Sequence, residues 1–565
     1  MRYAAILLCM SIAWTTHAAT YHVAQKAPNA SDDNPGSRDR PWKTISKAAT
    51  TLQPGDTVVV HEGIYREWVL PKRSGTEGAP IAYEAAKGES VVITGADVFS
   101  DWQRIEGGKP IYRHTPWTLD SVVHGNPAPI GRQEQVICDG KLLKHVLTME
   151  EMTPGTFLSD IENDVLYIRL PNDADPKDQT VEVSVRNRCF GFRFREDGVD
   201  HIHVRGFTMR YGRNMAQRGI LYVRGNHWRI EDNVIEWSNG NGFSLSGEHH
   251  LVRKNTMQYH GQLGMGGTPR NSRYEDNKLL HNNQKGFGLG WENGGCKLVH
   301  IHNTIVSGTT AIGNDGPGIW LDIDNRSSVV EKSFCKDNTG AGIFVEISGK
   351  EGITVRNNVC VGNGLPKGSW GAAGILLGES ECCTVEHNLC IGNKEGIAIR
   401  MQGPRGCGGL DKKPQMYFTQ NHIIRNNVIA FNRDYQLVMH VDNPFFGPHP
   451  SEKVNRKANF LIDPEFLKLT IDHNLYFELP EAAADASRKR CLVLYGAGWR
   501  KKSEQFFSLG DWQKAHSFDH HSRFGDPLLV DWPNGDFRLR ANSAARQMNA
   551  GLTAPAVGMK GIVAD

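Results

Sequence analysis

The sequence predicts an all-β protein built around a right-handed parallel β-helix, with an N-terminal capping helix and an inserted β-sandwich-like region. An asparagine followed by a β-type run recurs at intervals of 22 to 39 residues between Asn233 and Asn427, as is typical of solenoids. The residue two places after each asparagine is apolar, which indicates a strand face that points into a core. The 60 glycines supply tight corners. A leucine-rich horseshoe has a similar period, but its leucine framework is absent.

The charge balance excludes several classes of protein. The 565 residues include 64 Lys or Arg and 62 Asp or Glu, so the formal net charge is +2, whereas nucleic-acid binders usually carry a basic excess. Charged residues make up 22% and hydrophobic residues 39% of the chain, which excludes global disorder. No stretch after residue 20 is long and apolar enough to span a bilayer. We expect no nucleic-acid partner and no membrane insertion, and the sequence leaves the oligomeric state unassigned.

Residues 1–18 have the features of a secretory signal peptide. A short basic start is followed by an apolar run from Ala4 to Trp14. The small residues Thr16 and Ala18 stand at the −3 and −1 positions, which predicts cleavage after Ala18. We therefore expect a secreted or periplasmic protein, in a compartment that permits disulfides.

Residues 19–98 are interpreted as an N-terminal cap and the first coils. The segment 42–52 has the apolar spacing of a helix, and an amphipathic cap covers the open end that a solenoid would otherwise expose. Residues 99–190 interrupt the repeat with strand patterns of ordinary antiparallel type, separated by the turn-rich segment 171–178. We interpret this interruption as the β-sandwich-like insertion.

Residues 191–505 form the predicted catalytic core of the β-helix, and residues 506–565 form a C-terminal coil and tail. The asparagine rungs are Asn233, Asn255, Asn277, Asn303, Asn358, Asn388 and Asn427, with Ser333 between Asn303 and Asn358. The apolar column two residues later is Ile235, Met257, Leu279, Ile305, Cys335, Cys360, Cys390 and Ile429. We interpret its three cysteines as small buried hydrophobic residues, because their spacing matches the coil length and not a metal-binding motif.

A second strand in each coil, opened by glycine, carries the candidate chemistry. The fourth residue after each glycine gives the outward column Ser246, Thr268, Gly290, Asp322, Glu346, Gly378 and Arg400. Asp322 and Glu346 are therefore expected on adjacent coils, about 4.8 Å apart at the backbone. Two carboxylates at this distance repel each other, so one should hold its proton more tightly. The bland alternative is a pair of solvated surface acids with flexible side chains.

The surroundings of the two acids fit a saccharide site. Carboxyls about 5 Å apart suit a retaining glycosidase, in which one is the nucleophile and the other the acid/base. Gly290 and Gly378 would leave room on either side, and Trp320 and Phe344 would stack on sugar faces. We therefore take Asp322 and Glu346 as candidate catalytic residues and the two aromatic residues as candidate substrate-binding residues.

Three further residues are candidate substrate-binding residues. Arg400 shares the column of the acids and either binds the substrate or is an ordinary exposed arginine. Asp324 and Glu292 are placed in a second outward column with Glu248 and Gln402, where solvated rim residues are the preferred interpretation. His440 joins the column of Arg400 only under a looser alignment. The long segments 403–420 and 442–460 are expected to shape a cleft, and no metal site is assigned.

The motifs Trp320-Leu321-Asp322 and Phe344-Val345-Glu346 resemble those of glycoside hydrolase family 120, the β-xylosidase family. The resemblance implies a parallel β-helix interrupted by a β-sandwich-like region. It also implies that Asp322 is the nucleophile and that Glu346 is the acid/base. The specific part of the resemblance is confined to about residues 310–350.

The leading hypothesis is an exported retaining glycoside hydrolase without a cofactor, acting on glycosides derived from plant or algal polysaccharides. The first alternative is a Ca²⁺-dependent polysaccharide lyase acting on uronic-acid chains, with Asp322, Asp324 and Glu346 as calcium ligands. A lyase also needs a base, commonly Lys or Arg, and the outward column supplies Arg400 but no lysine beside the acids. The second alternative is a non-catalytic carbohydrate-binding solenoid, because the fold alone does not fix the function.

Overall fold

The protein is a right-handed parallel β-helix, as the sequence predicts. The computed structural model describes residues 18–117, 128–288, 291–365, 371–401, 405–408, 414–441, 467–478, 491–497, 502–557 and 559. Each coil contributes one strand in turn to a first, a second and a third parallel sheet. In one such coil these strands are Arg229–Glu231, Val234–Glu236 and Asn241–Glu248. The predicted signal peptide lies outside the described residues, except for Ala18.

The three sheets run the length of the solenoid. The first sheet contains Thr20–Val23, Thr57–Val60, Ile81–Ala85, Ile202–Arg205, Arg229–Glu231, Leu251–Arg253, Arg273–Glu275, Ile305–Ser307, Ser328–Glu331, Ile353–Arg356, Cys383–Glu386, Ile423–Arg425 and Thr470–Asp472. The second sheet contains Gly63–Tyr65, Val91–Thr94, Thr208–Arg210, Val234–Glu236, Thr256–Gln258, Lys278–Leu280, Thr310–Ile312, Phe334–Lys336, Val359–Val361, Leu389–Ile391, Val428–Ala430, Leu475–Phe477 and Arg523–Phe524. The third sheet contains Phe190–Gly191, Gly219–Arg224, Asn241–Glu248, Leu263–Arg270, Gly294–Val299, Ile319–Asp322, Ile343–Glu346, Ala373–Gly378, Glu395–Met401, Tyr435–Val441, Cys491–Ala497 and Lys502–Phe506.

Both ends of the solenoid are covered. The helix Ile45–Thr51 begins after the N-cap Thr44 and buries Ile45, Ala48 and Ala49. At the other end the strand Lys502–Phe506 pairs antiparallel with the last strand of the third sheet. The helix Leu509–Ala515 then buries Trp512 completely. The tail contains Leu529–Asp531, the 3₁₀ turn Trp532–Asn534, Asp536–Leu539 and the helix Ala544–Gln547. Parallel pairing reaches Arg523–Phe524, within the predicted C-terminal coil and tail of residues 506–565.

Two small sheets interrupt the coils. One contains Ala96–Val98, Val136–Cys138, Lys141–Leu142 and Val181–Ser184, and the other contains Gln103–Arg104, Tyr112–His114, Lys144–Val146, Thr156–Asp160 and Val165–Arg169. The 3₁₀ turns Pro171–Asp173 and Pro176–Asp178 lie between the strands Val165–Arg169 and Val181–Ser184. Trp102, Val136 and Phe157 belong to a core cluster of this region. Because Ala96–Val98 pairs with Val181–Ser184, the interruption begins before the predicted residue 99.

The inward column of the second sheet corrects one rung of the predicted repeat. It contains Ile235, Met257, Leu279, Ala311, Cys335, Cys360, Cys390, Ile429 and Tyr476. Ala311 therefore replaces Ile305, and Thr309 replaces the exposed Asn303 as the rung. Ile305 lies in the first sheet, because extra chain after Leu280 lengthens this coil. The three stacked cysteines are buried as predicted, and no described cysteine is disulfide-bonded.

Stacked asparagines hold the coils at two corners. Asn358 donates its backbone N–H and its side-chain Nδ2–H to Oδ1 of Asn388, both at 3.0 Å. A second ladder, which the sequence interpretation missed, contains Asn282, Asn314, Asn338, Asn363, Asn393 and Asn432. Each rung satisfies buried backbone groups that would otherwise lose hydrogen bonds to water. No helix in the described residues has the length and apolarity needed to cross a membrane.

Replacement of a true rung should destabilise the fold, whereas replacement of the false rung should not. Asn358→Ala removes bonds to a buried backbone carbonyl and to the next asparagine, so we expect a loss of about 2 kcal/mol in the free energy of unfolding. Asn303→Gly is the control, because Asn303 is exposed and has φ of 47°; its effect should stay within about 0.5 kcal/mol. Urea unfolding followed by circular dichroism measures both changes. Equal losses would contradict the observed register.

Candidate active site

The outward column of the third sheet contains both candidate acids. Pairing in register places Asp322 beside Glu346, Glu346 beside Gly378, and Gly378 beside Arg400. Arg400 in turn pairs with His440, so the looser alignment of His440 is confirmed. The other neighbour of Asp322 is Val299, and this corrects the predicted neighbour Gly290.

The predicted position of Gly290 is wrong because the segment around it resembles the repeat in sequence. The segment beginning at Gly286 reads like another glycine-led strand, but the strand of that coil is Gly294–Val299. Gly290 itself lies outside the described residues. The true register brings Lys297 beside Trp320, and a lysine therefore stands next to the acids after all.

Each acid is the last residue of its strand, at a sharp corner. Ile323 follows Asp322 with φ of 63°, and Ile347 follows Glu346 with φ of 47°. Both values lie in the left-handed region, which turns the chain away from the strand direction. Ile323 is accordingly half-buried and lies outside the strand Ile319–Asp322. The two acids are only 4% and 7% exposed, so the alternative of solvated surface acids is wrong.

Lys297 neutralises the first acid. Its Nζ lies 2.8 Å from Oδ2 of Asp322 and 4.1 Å from the centre of the Trp320 ring. The second oxygen, Oδ1 of Asp322, is buried and has no hydrogen-bond partner among the described residues. A buried carboxylate that keeps one oxygen without a partner is poised to interact with another group.

Glu346 is held from two sides. Trp320 donates its indole N–H to Oε2 at 3.1 Å, and Arg405 forms an ion pair with Oε1. The pKa of Glu346 is raised, first by burial and then by the negative charge of Asp322, although Arg405 and Lys297 act in the opposite direction. Burial and a neighbouring like charge both favour the neutral acid. This pair therefore has the asymmetry that acid/base chemistry requires.

Trp320 and Phe344 stack on each other and are not open platforms for sugars. Their ring centres are 5.4 Å apart at an interplanar angle of 17°, and the residues are 3% and 6% exposed. A Cβ at Gly378 would approach the Phe344 ring to 3.1 Å, so this glycine makes room for the ring and not for a substrate. The predicted sugar-stacking role is replaced by a supporting one, in which Trp320 holds Lys297 and Glu346.

A β-hairpin from the predicted loop 403–420 packs over the corner of the acids. Its strands are Arg405–Gly408 and Pro414–Tyr417. Arg405 and Tyr417 pair with each other at the base of the hairpin. Arg405 forms an ion pair with Glu346, and the Tyr417 hydroxyl donates to Asp324. Asp324 is fully buried and also accepts from Arg326 Nε at 2.8 Å. The preferred interpretation of Asp324 as a solvated rim residue is therefore wrong, because two partners neutralise and bury it.

The remaining candidates lie on opposite sides of the acids. Arg400 is 9% exposed, and its Nη2 lies 2.6 Å from both carboxylate oxygens of Glu395. The structure thus gives it a buried ion-pair partner, unlike an ordinary exposed arginine. Glu292 precedes the strand of Lys297 and lies 4.0 Å from its Nζ. Burial raises the pKa of Glu292, and Lys297 partly offsets that effect.

A cleft of about 390 Å³ opens beside this cluster, over earlier strands of the third sheet. Lys297 and Val299, the neighbours of Trp320 and Asp322, line its near end together with Glu292. The rest of the lining includes Phe194, Gln217, Arg218, Tyr222, Arg224, Asn241, Ser244, Ser246 and Thr268. A volume in this range suits a small organic ligand.

The carboxylates do not form a calcium site in this arrangement. Lys297 pairs with Asp322, Arg326 with Asp324, and Arg405 with Glu346. Calcium prefers several free carboxylates in one shell, whereas each of these three carboxylates is already paired with a cationic side chain. The donor set therefore does not fit Ca²⁺, and we derive no step through that ion.

Comparisons with known proteins agree with the fold. A family profile described as a right handed beta helix region matches residues 218–390. An uncharacterized protein of Bacillus subtilis (strain 168), YwoF, is 23% identical over 390 residues, which are 59% of this chain and 79% of YwoF. A structure of XylC in complex with xylose is similar over 84% of this chain and 86% of that chain, with a TM-score of 0.62 and 21% identity. The A-module of the Azotobacter vinelandii mannuronan C-5 epimerase AlgE6 is similar over 88% and 97%, with a TM-score of 0.43 and 11% identity. At 21% identity the likeness to XylC shows the fold.

Arg326 pairs with two carboxylates, the buried Asp324 and the exposed Glu351. Replacing each of them in turn tests whether the buried partner contributes more to stability. Asp324→Asn removes a fully buried charge from Arg326, and we expect a loss of about 3 kcal/mol in the free energy of unfolding. Glu351→Gln removes the other partner of Arg326, whose side chain is 45% exposed, so the loss should stay below about 1 kcal/mol. Denaturant unfolding measures both variants. A loss that is equal or larger for Glu351→Gln would contradict the buried role of Asp324.

Proposed function

We propose that the protein is a retaining glycoside hydrolase that acts on glycosides derived from plant or algal polysaccharides. The observation that carries the proposal is the buried pair of Asp322 and Glu346 on adjacent strands, with Lys297 against the first and a raised pKa on the second. A carboxyl that holds its proton more tightly than usual, next to a second carboxylate, is what a retaining mechanism needs. The cleft beside the pair supports a saccharide ligand.

In the proposed reaction the two carboxyls have different roles. Asp322 attacks the anomeric carbon and forms a covalent glycosyl ester, while Glu346 gives its proton to the departing oxygen. Glu346, now a carboxylate, takes a proton from water, and the resulting hydroxide attacks the same carbon and releases Asp322. Lys297 orients Asp322 through its 2.8 Å contact, and Trp320 orients Glu346 through its N–H. The chain itself supplies every group in this scheme.

Two likenesses guide the choice of substrate. The motifs around Asp322 and Glu346 resemble the β-xylosidase family, and the similar structure of XylC is a complex with xylose. A β-xyloside is therefore the first substrate to assay. We also propose that the protein is exported after cleavage behind Ala18, on the basis of its N-terminal sequence.

Lys297 gives a specific reason to test a polysaccharide lyase as the second candidate. A lyase abstracts a proton next to a uronate carboxylate and needs a base, commonly Lys or Arg. Lys297 stands beside the acids where the sequence interpretation expected no lysine. Its Nζ is, however, already engaged by Oδ2 of Asp322 at 2.8 Å, so it is not free to act on a substrate. The hydrolase therefore remains the better proposal.

Substitution of the two acids should separate their roles in hydrolysis of aryl β-xylosides. Glu346→Gln should lower kcat by about 10²–10⁴-fold for substrates with poor leaving groups and much less for activated aryl leaving groups. Asp322→Asn should abolish turnover of both kinds. Mass spectrometry of the protein after reaction with a 2-fluoro glycoside should place the trapped sugar on Asp322. Release of an unsaturated, ultraviolet-absorbing product from uronic polysaccharides would instead favour the lyase.

Arg405 should set the upper pH limit of activity. The acid form of Glu346 is needed, so activity falls as pH rises through its pKa. Arg405 lowers that pKa, and Arg405→Met should therefore move the alkaline limb of the kcat/KM profile to higher pH. Arg425→Met is the control, because Arg425 pairs with Glu386 in the first sheet. An alkaline limb that stays in place or moves to lower pH in Arg405→Met would contradict Glu346 as the acid.

A further inference from the structure

The lining of the cleft beside the acids has an excess of positive charge. Arg218 precedes the strand Gly219–Arg224, and Arg224 is its last residue and lies at the end of the cleft farthest from the acids. The acidic residue of the lining is Glu292, which lies 4.0 Å from Lys297. Within the described parts of the chain, neither arginine has a carboxylate within ion-pair distance. Glu292 also interacts electrostatically with Arg218, so a single carboxylate faces three cations and the net charge of the lining is positive.

Arg218 is already oriented. Its guanidinium lies 3.8 Å from the centre of the Phe194 ring, and its Nη1 donates to the backbone carbonyl of Gln217 at 3.2 Å. The Nε atom is buried and has no hydrogen-bond partner among the described residues. A buried donor without a partner is unfavourable unless a ligand supplies an acceptor. The guanidinium of Arg218, which is stacked on Phe194 and fixed at Nη1, therefore points to an anionic ligand group.

Arg224 fixes the distance between this end and the acids. It pairs in register with Ser246, and Ser246 pairs with Thr268. The same column continues through Val299 to Asp322. Four strand steps separate Arg224 from Asp322, which is roughly 19 Å at the backbone spacing of a sheet. A ligand that reaches both ends must therefore contain more than one sugar unit.

We propose that the cleft binds an acidic oligosaccharide, with a uronic-acid carboxylate held by the positively charged lining that Arg218 and Arg224 provide, outside the sugar unit that Asp322 attacks. This inference rests on the proposed function, because it assigns the cleft to the substrate of the same acids. A planar guanidinium matches a carboxylate through two parallel hydrogen bonds. The amides of Gln217 and Asn241 suit the neutral hydroxyls between the two ends.

Binding to a catalytically disabled protein tests the inference separately from hydrolysis. Titration calorimetry with Glu346→Gln compares a neutral xylo-oligosaccharide with one of equal length that carries a single glucuronic acid. We expect the acidic ligand to bind at least about tenfold more tightly at low salt, with the advantage shrinking as salt is raised. Addition of Arg224→Gln or Arg218→Gln to this protein should reduce the ratio of the two affinities toward one.

Three controls make every outcome decisive. Arg205→Gln changes an exposed arginine on the first sheet and should leave the affinity ratio intact. Arg224→Lys retains the positive charge but not the planar guanidinium, so it should recover only part of the preference for the acidic ligand. Thermal unfolding checks that each variant is folded, and Arg224 is half-buried, which makes its replacement tolerable.

Equal affinity for acidic and neutral ligands, or a preference that survives both arginine substitutions, would overturn the inference. A sulfated oligosaccharide that binds as tightly as the uronate would overturn the assignment to a carboxylate. If the preference appears but the wild-type protein hydrolyses neither ligand, the binding inference stands and the proposed hydrolase activity fails. If the wild-type protein instead binds both ligands equally and hydrolyses them at equal rates, the proposed hydrolase activity stands and the binding inference fails.

Discussion

In-register stacking of one coil on the next is the constraint on which the rest of this structure depends. Parallel strands about 4.8 Å apart leave each residue facing its counterpart in the next coil. The two asparagine ladders reinforce that register, because each rung hydrogen-bonds both to backbone and to the next rung. Two side chains at equivalent positions are therefore neighbours without any further folding requirement. The adjacency of Asp322 and Glu346 follows directly.

The same constraint brings like charges together, and the surroundings must compensate. The acids cannot separate without breaking the register, and burial strengthens their repulsion. Lys297 from the preceding coil and Arg405 from the hairpin each neutralise one acid. Burial nevertheless outweighs Arg405 at Glu346, whose pKa remains raised. This residual asymmetry between two equivalent positions of the repeat is the feature that the proposed acid/base role would use.

The sequence was sufficient for features that repeat and insufficient for features that interrupt the repeat. The period predicted the solenoid, the cysteine stack and the pairing of Asp322 with Glu346, because each depends on local spacing. The extra chain after Leu280 shifted two predicted positions, Ile305 and Gly290, since both segments imitate the repeat. Lys297 was missed for the same reason. Arg405 and the burial of Asp324 depend on contacts between residues far apart in the sequence, for which spacing carries no signal.

These interruptions of the repeat give the two acids different surroundings. The regular coils place two carboxylates at a fixed separation, but identical coils would surround them with identical neighbours. The lengthened coil supplies Glu292 and the shifted Lys297 on one side, and the hairpin supplies Arg405 and Tyr417 on the other. Each acid thereby acquires a different environment, although the two occupy equivalent positions in the repeat. The asymmetry on which the proposed chemistry depends arises from the departures from periodicity, while the periodicity itself supplies only the distance.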